Sequence, residues 1–263
     1  MSVVIDPRAV VSPKAALGEN VRVGPFAVIE DDVVVGDGTT VSSHATIADG
    51  SRIGRECRIF SSASLGTAPQ DIKYRGEPTL LEVGDRCVIR EFVTLNRATV
   101  DSGRTVIGND CLFMANAHVG HDSRVGNKVI LANSVALGGH VHIGDWSIVG
   151  GLTPVHQFCH IGEHVMIGGG FRVVKDVPPY ILAGQEPLVF EGLNSIGLRR
   201  RGFSAETIEL LEKTYQFIYR SNLNVSQGVE KIRSEVQQIP EVHKVLEFIA
   251  QSKRGIISGR RNK

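Results

Sequence analysis

The sequence predicts a mainly β fold: a parallel β-helix of hexapeptide repeats over residues 1–190, with loops ejected at 66–81 and 97–105, then an α-helical domain over 191–263. Three observations carry this expectation. An aliphatic side chain recurs at every sixth residue, the phase is kept across two polar interruptions, and beyond Val174 the period gives way to helical spacing.

Counting by sixes from Ile5, the slots run without a miss through Val11, Leu17, Val23, Ile29, Val35, Val41, Ile47, Ile53 and Ile59 to Leu65. They resume at Val83, Ile89 and Leu95, and continue from Ile107 to Val173. Of 29 slots between 5 and 173, 26 hold an aliphatic residue or Phe; the exceptions, Asp71, Glu77 and Asp101, fall in the interruptions. Six is not a helical period, and a hairpin sheet does not hold one phase for so long. Three six-residue faces closing a coil put each slot side chain into a narrow prism, with parallel strands of successive coils about 4.8 Å apart. Glycine often follows the slot, as at Gly18, Gly54, Gly84 and Gly126, and is expected to tolerate the corner geometry. Repeats of this kind resemble those of left-handed parallel β-helix proteins, an exception to the right-handed crossover rule.

The interruptions, "GTAPQDIKYRGEPTLL" and "RATVDSGRT", carry polar, Pro and Gly residues and leave the later phase undisturbed. Long charged loops on a rigid scaffold are commonly functional. After "KDVPPYILAGQEP", the segment "SAETIELLEKTYQFIYRS" begins with Ser204 as N-cap and places Ile208, Leu211, Tyr215 and Ile218 on one face. "SQGVEKIRSEVQQ" and "PEVHKVLEFIAQS" read as two more helices, the last opened by Pro240. A helical cap on the open end of a stack of strands is expected on stability grounds alone.

Composition narrows the function. Lys plus Arg (29) balances Asp plus Glu (28), so no whole-chain field points to nucleic acid or a membrane surface. Cys57, Cys87, Cys111 and Cys159 form no C-x-x-C pair and read as reduced core residues. The N-terminus lacks a basic flank with an apolar run, and no stretch approaches the length of a membrane span. A cytoplasmic protein without stable membrane insertion is expected.

The histidines are concentrated. Of nine, His118, His121, His140, His142, His156 and His160 lie in one short region. Eighteen residues make one coil, so 121 stacks near 139 and 140 near 158, which clusters these side chains on adjacent coils. Three readings compete: solvated decoration, a metal site of converging imidazoles as in β-helix hydratases, or a general base with a carboxylate helper, His121 with Asp122. The last works only where the corner of the coil turns both side chains outward.

With these pieces assembled, the chain resembles the UDP-N-acetylglucosamine O-acyltransferases that begin lipid A synthesis. The matching motifs are "QDIKYRGEPT", "NAHVGHDSRVGN", "GGHVHIG", "VHQFCHIGEHVMIGGG", "KDVPPY" and "GLRRRGF". The resemblance implies that His121 deprotonates the sugar 3-hydroxyl, Asp122 orients it, and the Gly139 N–H receives the thioester oxyanion. It further implies that Asp71, Lys73, His118, His140, His156 and Gln157 hold the sugar and diphosphate, and that Asn194, Arg200 and Arg201 approach the nucleotide. The donor it implies is an acyl carrier protein bearing a 3-hydroxyacyl chain on phosphopantetheine, in a transfer expected to need no cofactor and no metal. Residues 191–263 carry 13 Lys and Arg against 8 Asp and Glu, a favourable surface for an acidic carrier.

Family members are homotrimers with the site between neighbouring coils, which makes Met166, Gly169 and Phe171 candidates for the acyl groove. Gly169 after Gly168 is expected to leave room for a longer chain. The sequence departs from the family pattern at Asn96 for His, at Ile196 for an acidic residue, and in "AGQEPLVF". The first two leave open a 3-amine acceptor on a UDP-diamino sugar, and the third leaves acyl length open. The later N-acyltransferase of the same pathway carries an extra N-terminal domain, whereas repeats here begin at Ile5. A metal-dependent hydratase and a non-catalytic scaffold are the rivals from other classes.

Overall fold

The computed structural model describes residues 2–259. Among the described residues, short strands stack into three sheets of twelve, eight and eight strands, parallel throughout the coils, that form the faces of a left-handed prism. The register follows the six-residue period: Leu95 pairs with Val119, and Val119 with Leu137, on the second face. Across the ejected loops it is kept, since Ile53 pairs with Val83 and Val83 with Ile107 on the third face. The aliphatic and Phe slot residues from Val23 to Val173, including Ile29, Leu65, Phe113 and Leu137, are buried in the prism. Each such aliphatic side chain contributes about 1.5–3 kcal/mol by leaving water. The first coil is the exception, with Ile5 44% exposed at the open N-terminal end.

The glycines after the slots have a different cause from the one expected. None of Gly18, Gly54, Gly84 and Gly126 has positive φ. Instead, a Cβ on Gly54 would stand 2.5 Å from the Gly84 carbonyl carbon, and one on Gly84 2.8 Å from that of Gly108. Close approach of one coil to the next excludes side chains there. The left-handed conformation falls two residues later, at Asn20, Glu56, Asp110, Asp122, His140 and Phe158, among others.

The cysteines belong to the same ladder. Cys57 Sγ donates to Gly84 O at 3.2 Å, Cys87 to Gly108 O at 3.1 Å and Cys111 to Gly126 O at 3.1 Å. Thr39 and Ser147 do the same with hydroxyls, to Gly54 O at 2.8 Å and Gly162 O at 2.6 Å. These residues are small buried donors. All four thiols are free and buried, so none should react with a thiol reagent in the native protein and four should titrate in denaturant; rapid native reaction of even one would contradict this packing.

Beyond the coils, strand Ile181–Gly184 joins the first face, Val189–Leu193 pairs with it antiparallel, and Ser258–Gly259 adds to the edge. This hairpin crosses the 190/191 boundary, and the helices begin at α1 (Ser195–Arg200). Next come α2 (Ala205–Tyr219), capped by Ser204, then α3 (Val225–Glu235), capped by Asn224, and α4 (Pro240–Gln251) with Pro at its start. The expected α2 face, Ile208, Leu211, Tyr215 and Ile218, is buried. Asp176 ties the cap to the last coil, accepting from His160 N–H at 2.8 Å and Ser252 Oγ at 2.6 Å. Arg260, Arg261 and Lys263, part of the basic excess, lie outside the described residues.

Candidate active site

The corner between the second and third faces builds the site. In a flat strand His121 and Asp122 would point to opposite sides. Asp122 instead has φ 61°, a conformation aspartate adopts more readily than most residues. The turn brings the two side chains together, with His121 Nδ1 2.7 Å from Asp122 Oδ2.

Both ejected loops leave the stack at this corner, after strands Ser64–Thr67 and Thr94–Asn96. The second folds over Asp122. Thr99 donates from its N–H at 3.2 Å and its hydroxyl at 2.8 Å, and Ser102 from its N–H at 3.2 Å and its hydroxyl. The Asp122 N–H donates to Thr105 Oγ1 at 2.9 Å. Burial acts to raise the Asp122 pKa, but the hydrogen bonds from Ser102, His121 and Thr99 outweigh it and hold the carboxyl below its ordinary value. An ionised Asp122 keeps the proton on His121 Nδ1, which leaves the Nε2 lone pair to act as base.

Gly139 lies on the next coil against the imidazole. A Cβ there would stand 2.6 Å from His121 Cε1 and 2.7 Å from Nε2. Among the described residues its N–H donates to no protein group, so it is available to an oxyanion. His140, with φ 60°, meets His121 edge-on at 5.3 Å between ring centroids, and Phe158 stacks on His140 at 4.5 Å. His140 Nε2 lies 3.7 Å from Asp122 Oδ2 and 3.8 Å from Asp101 Oδ2. His118 Nδ1 is 2.7 Å from Thr94 Oγ1, and burial, then the nearby His121, lowers its pKa. His156 and Gln157 are exposed one coil further, with His156 Nδ1 3.0 Å from Gln157 O.

The remaining candidates stand elsewhere in a single chain. Asp71 accepts from Lys73 N–H at 2.8 Å in a turn of the first loop. That loop is clamped by Arg97, which donates to Tyr74 Oη at 2.9 and 3.0 Å and to Gly66 O at 3.0 Å. Asn194 caps α1 and donates from Nδ2 to His164 O at 2.9 Å. Arg201 lies over the Trp146 ring and donates to Trp146 O at 2.9 Å, while Arg200 is exposed in the last turn of α1. These three belong to the corner between the third and first faces. Met166 sits on the first face, and Gly169 and Phe171 on the corner between the first and second.

Gly169 does not open a groove by lacking a side chain. A Cβ there would meet Gly151 O at 2.9 Å, and Phe171 covers Gly168. Coil contact accounts for this glycine, and the argument from it to a longer acyl chain falls. Asn96, standing where the family pattern has His, donates to Thr67 Oγ1 at 3.0 Å, and its buried Oδ1 has no partner among the described residues.

Sequence reasoning missed Thr99, Ser102, Asp101, Arg97 and Phe158; only the eighteen-residue repeat linking 140 to 158 offered a signal. It also missed His164, 8% exposed, stacked on Tyr180 at 5.7 Å and touching Phe203 edge-on. Burial first, with Arg201 and Lys244 also lowering it against Glu163 and Asp145, brings its pKa down to about 4. The unfolded chain therefore binds a proton that the folded chain refuses between pH 6.5 and about 4, so stability falls as pH drops through that window. Chemical denaturation of His164→Phe from pH 7 to 4 should show a flatter profile than wild type; an unchanged slope would place the proton uptake elsewhere.

A prism of hexapeptide coils with a histidine–aspartate pair beside an unengaged backbone N–H is the fold and corner of the bacterial hexapeptide acyltransferases. Residues 104–139 match the bacterial transferase hexapeptide family, and residues 176–257 match the second domain of the UDP-N-acetylglucosamine O-acyltransferases. The acyl-[acyl-carrier-protein]–UDP-N-acetylglucosamine O-acyltransferase of Chlorobaculum parvum is 57% identical over 252 residues, covering 95% of this chain and 96% of that one. That of Thermodesulfovibrio yellowstonii is 45% identical, covering 96% and 98%. The crystal structure of the UDP-N-acetylglucosamine acyltransferase from Bacteroides fragilis superposes with a TM-score of 0.94 at 46% identity, covering 96% of this chain and 99% of that one. The chain belongs to the UDP-N-acetylglucosamine O-acyltransferase family.

Proposed function

We propose that this chain transfers a 3-hydroxyacyl group from an acyl carrier protein to the 3-hydroxyl of UDP-N-acetylglucosamine, the first step of lipid A synthesis. The observation that carries the mechanism is the His121–Asp122 pair seated against Gly139. His121 Nε2 takes the hydroxyl proton as the oxygen attacks the thioester carbonyl, and the Gly139 N–H binds the developing oxyanion. Collapse of the tetrahedral intermediate releases the phosphopantetheine thiol, which takes the proton from His121. No metal, cofactor or acyl-enzyme enters.

His118, His140, His156 and Gln157 flank this base and are assigned to sugar and diphosphate, with Asp71 and Lys73 from the first loop. Asn194, Arg200 and Arg201 stand on the corner between the third and first faces, Met166 on the first face, and Gly169 and Phe171 on the corner between the first and second. A site using all of them takes residues from two chains, and we assign the working form as a cytoplasmic homotrimer with clefts shared between neighbours. Among the described residues no helix is long and apolar enough to cross a membrane.

The test is transfer from a panel of 3-hydroxyacyl carrier proteins to UDP-N-acetylglucosamine and to its 3-amino analogue after metal removal. Transfer to the hydroxyl is expected. The orphan Asn96 Oδ1 is an acceptor that either an O–H or an N–H satisfies, and exclusive use of the amine would move the assignment there. No transfer to either by folded protein would overturn the proposal.

A further inference from the structure

The corner that carries the base also presents a ligand set for a divalent transition metal. We propose that His121, Asp122 and His140, with Asp101 from the second ejected loop, form an inhibitory zinc site; the inhibitory sense rests on His121 being the catalytic base.

The geometry is close to a bound site. His121, Asp122 and His140 each offer one ligand atom, all within 4.8 Å of one another. Zinc bonds of about 2.0–2.1 Å in a tetrahedron set ligand atoms about 3.3 Å apart. The distances here straddle that value: 2.7 Å from Asp122 Oδ2 to His121 Nδ1, 3.7 Å to His140 Nε2, and 3.8 Å from His140 Nε2 to Asp101 Oδ2. Shifts of about half an ångström bring the Asp122 contacts to that value, and Asp101, outside the group of three, swings further in on its exposed loop to become the fourth ligand.

Its supports are in place as well. Thr99 and Ser102 fix the Asp122 carboxylate, and Phe158 stacks on His140, the kind of outer contact that orients metal ligands. Two imidazoles and two carboxylates suit zinc; magnesium and calcium prefer oxygen-rich sets of six or more ligands. Two carboxylates also balance the dication.

Binding through Nδ1 would leave the single ring proton of His121 on Nε2 and engage the Asp122 oxygen that orients the ring, so a metallated corner has no base. Zinc bound there is then an inhibitor.

The experiment uses the full chain and Co2+ as a spectroscopic stand-in. We expect one equivalent of Co2+ per chain to give the intense visible absorption of a four-coordinate ion, lost on adding Zn2+ and absent in His140→Ala. In metal-buffered transfer assays Zn2+ should inhibit wild type, a chelator should restore it, and Asp101→Asn should raise the inhibition constant about tenfold or more. A weak six-coordinate spectrum, a spectrum indifferent to His140→Ala, or unchanged inhibition in Asp101→Asn would each overturn the site. A four-coordinate spectrum in a protein that transfers no acyl group, with or without metal, would instead overturn the inhibitory role together with the acyltransferase reading.

Discussion

His121→Ala should lower kcat about 10²–10⁴-fold while leaving the melting temperature nearly unchanged, the range a positioned general base contributes. The fold should tolerate the change, because His121 stands at the edge of the prism and fills no slot. No neighbour can replace it. His118 is engaged through Nδ1 with Thr94, and burial lowers its pKa. His140 offers Nε2 to the carboxylates of Asp122 and Asp101, and its ring is held by Phe158. The comparison is best made in single-turnover transfer at saturating sugar, with wild type and variant both stripped of metal. Activity of the variant within tenfold of wild type would put the base on another residue. Loss of wild-type activity on chelation would point instead to a metal mechanism on the same corner.

The slots were legible because they demand a single property, an aliphatic side chain at a fixed spacing, and the prism enforces it coil after coil. The corner was half legible. His121 and Asp122 could be seen as a pair, but whether they converged depended on φ at Asp122, and the left-handed positions share no chemistry: Asn20, Glu56, Trp146, Leu152 and Phe158 all adopt it. Glycine drew attention to the wrong position, since its cause is contact between coils.

The grip of Thr99 and Ser102 on Asp122 was unreadable for another reason. An ejected loop leaves the eighteen-residue register, so stacking arithmetic says nothing of where its side chains land. Pairing of Val189–Leu193 with Ser258–Gly259 brings together segments more than sixty residues apart with no repeat to announce it. Asn194, with Arg200 and Arg201, came from motif likeness, and in one chain they stand on a different corner from His121. Their use in one site depends on a neighbour that a single sequence does not display.

Gly139→Ala should reduce kcat about 10²-fold, close to 2.7 kcal/mol in the barrier, with little loss of stability. The added methyl would stand 2.6 Å from His121 Cε1 and 2.7 Å from Nε2, inside the separation that carbon atoms accept, about 3.5–4.0 Å. The obstructing atoms are the end of a side chain, so the imidazole can swing aside by about 1 Å, and a displacement of that size in a catalytic group costs about 10²-fold. Swinging aside also strains the 2.7 Å contact with Asp122 Oδ2 that holds the tautomer. Gly138→Ala is the control. There the methyl would meet Gln157 N at 2.8 Å, a backbone atom of the next coil that cannot yield without parting the stack, so that variant should lose melting temperature first. The two adjacent substitutions thus separate the catalytic use of a glycine from its structural use. Unimpaired turnover in Gly139→Ala would mean that the working enzyme does not hold the His121 ring against this coil, and the assignment of Nε2 as the base would fall with it.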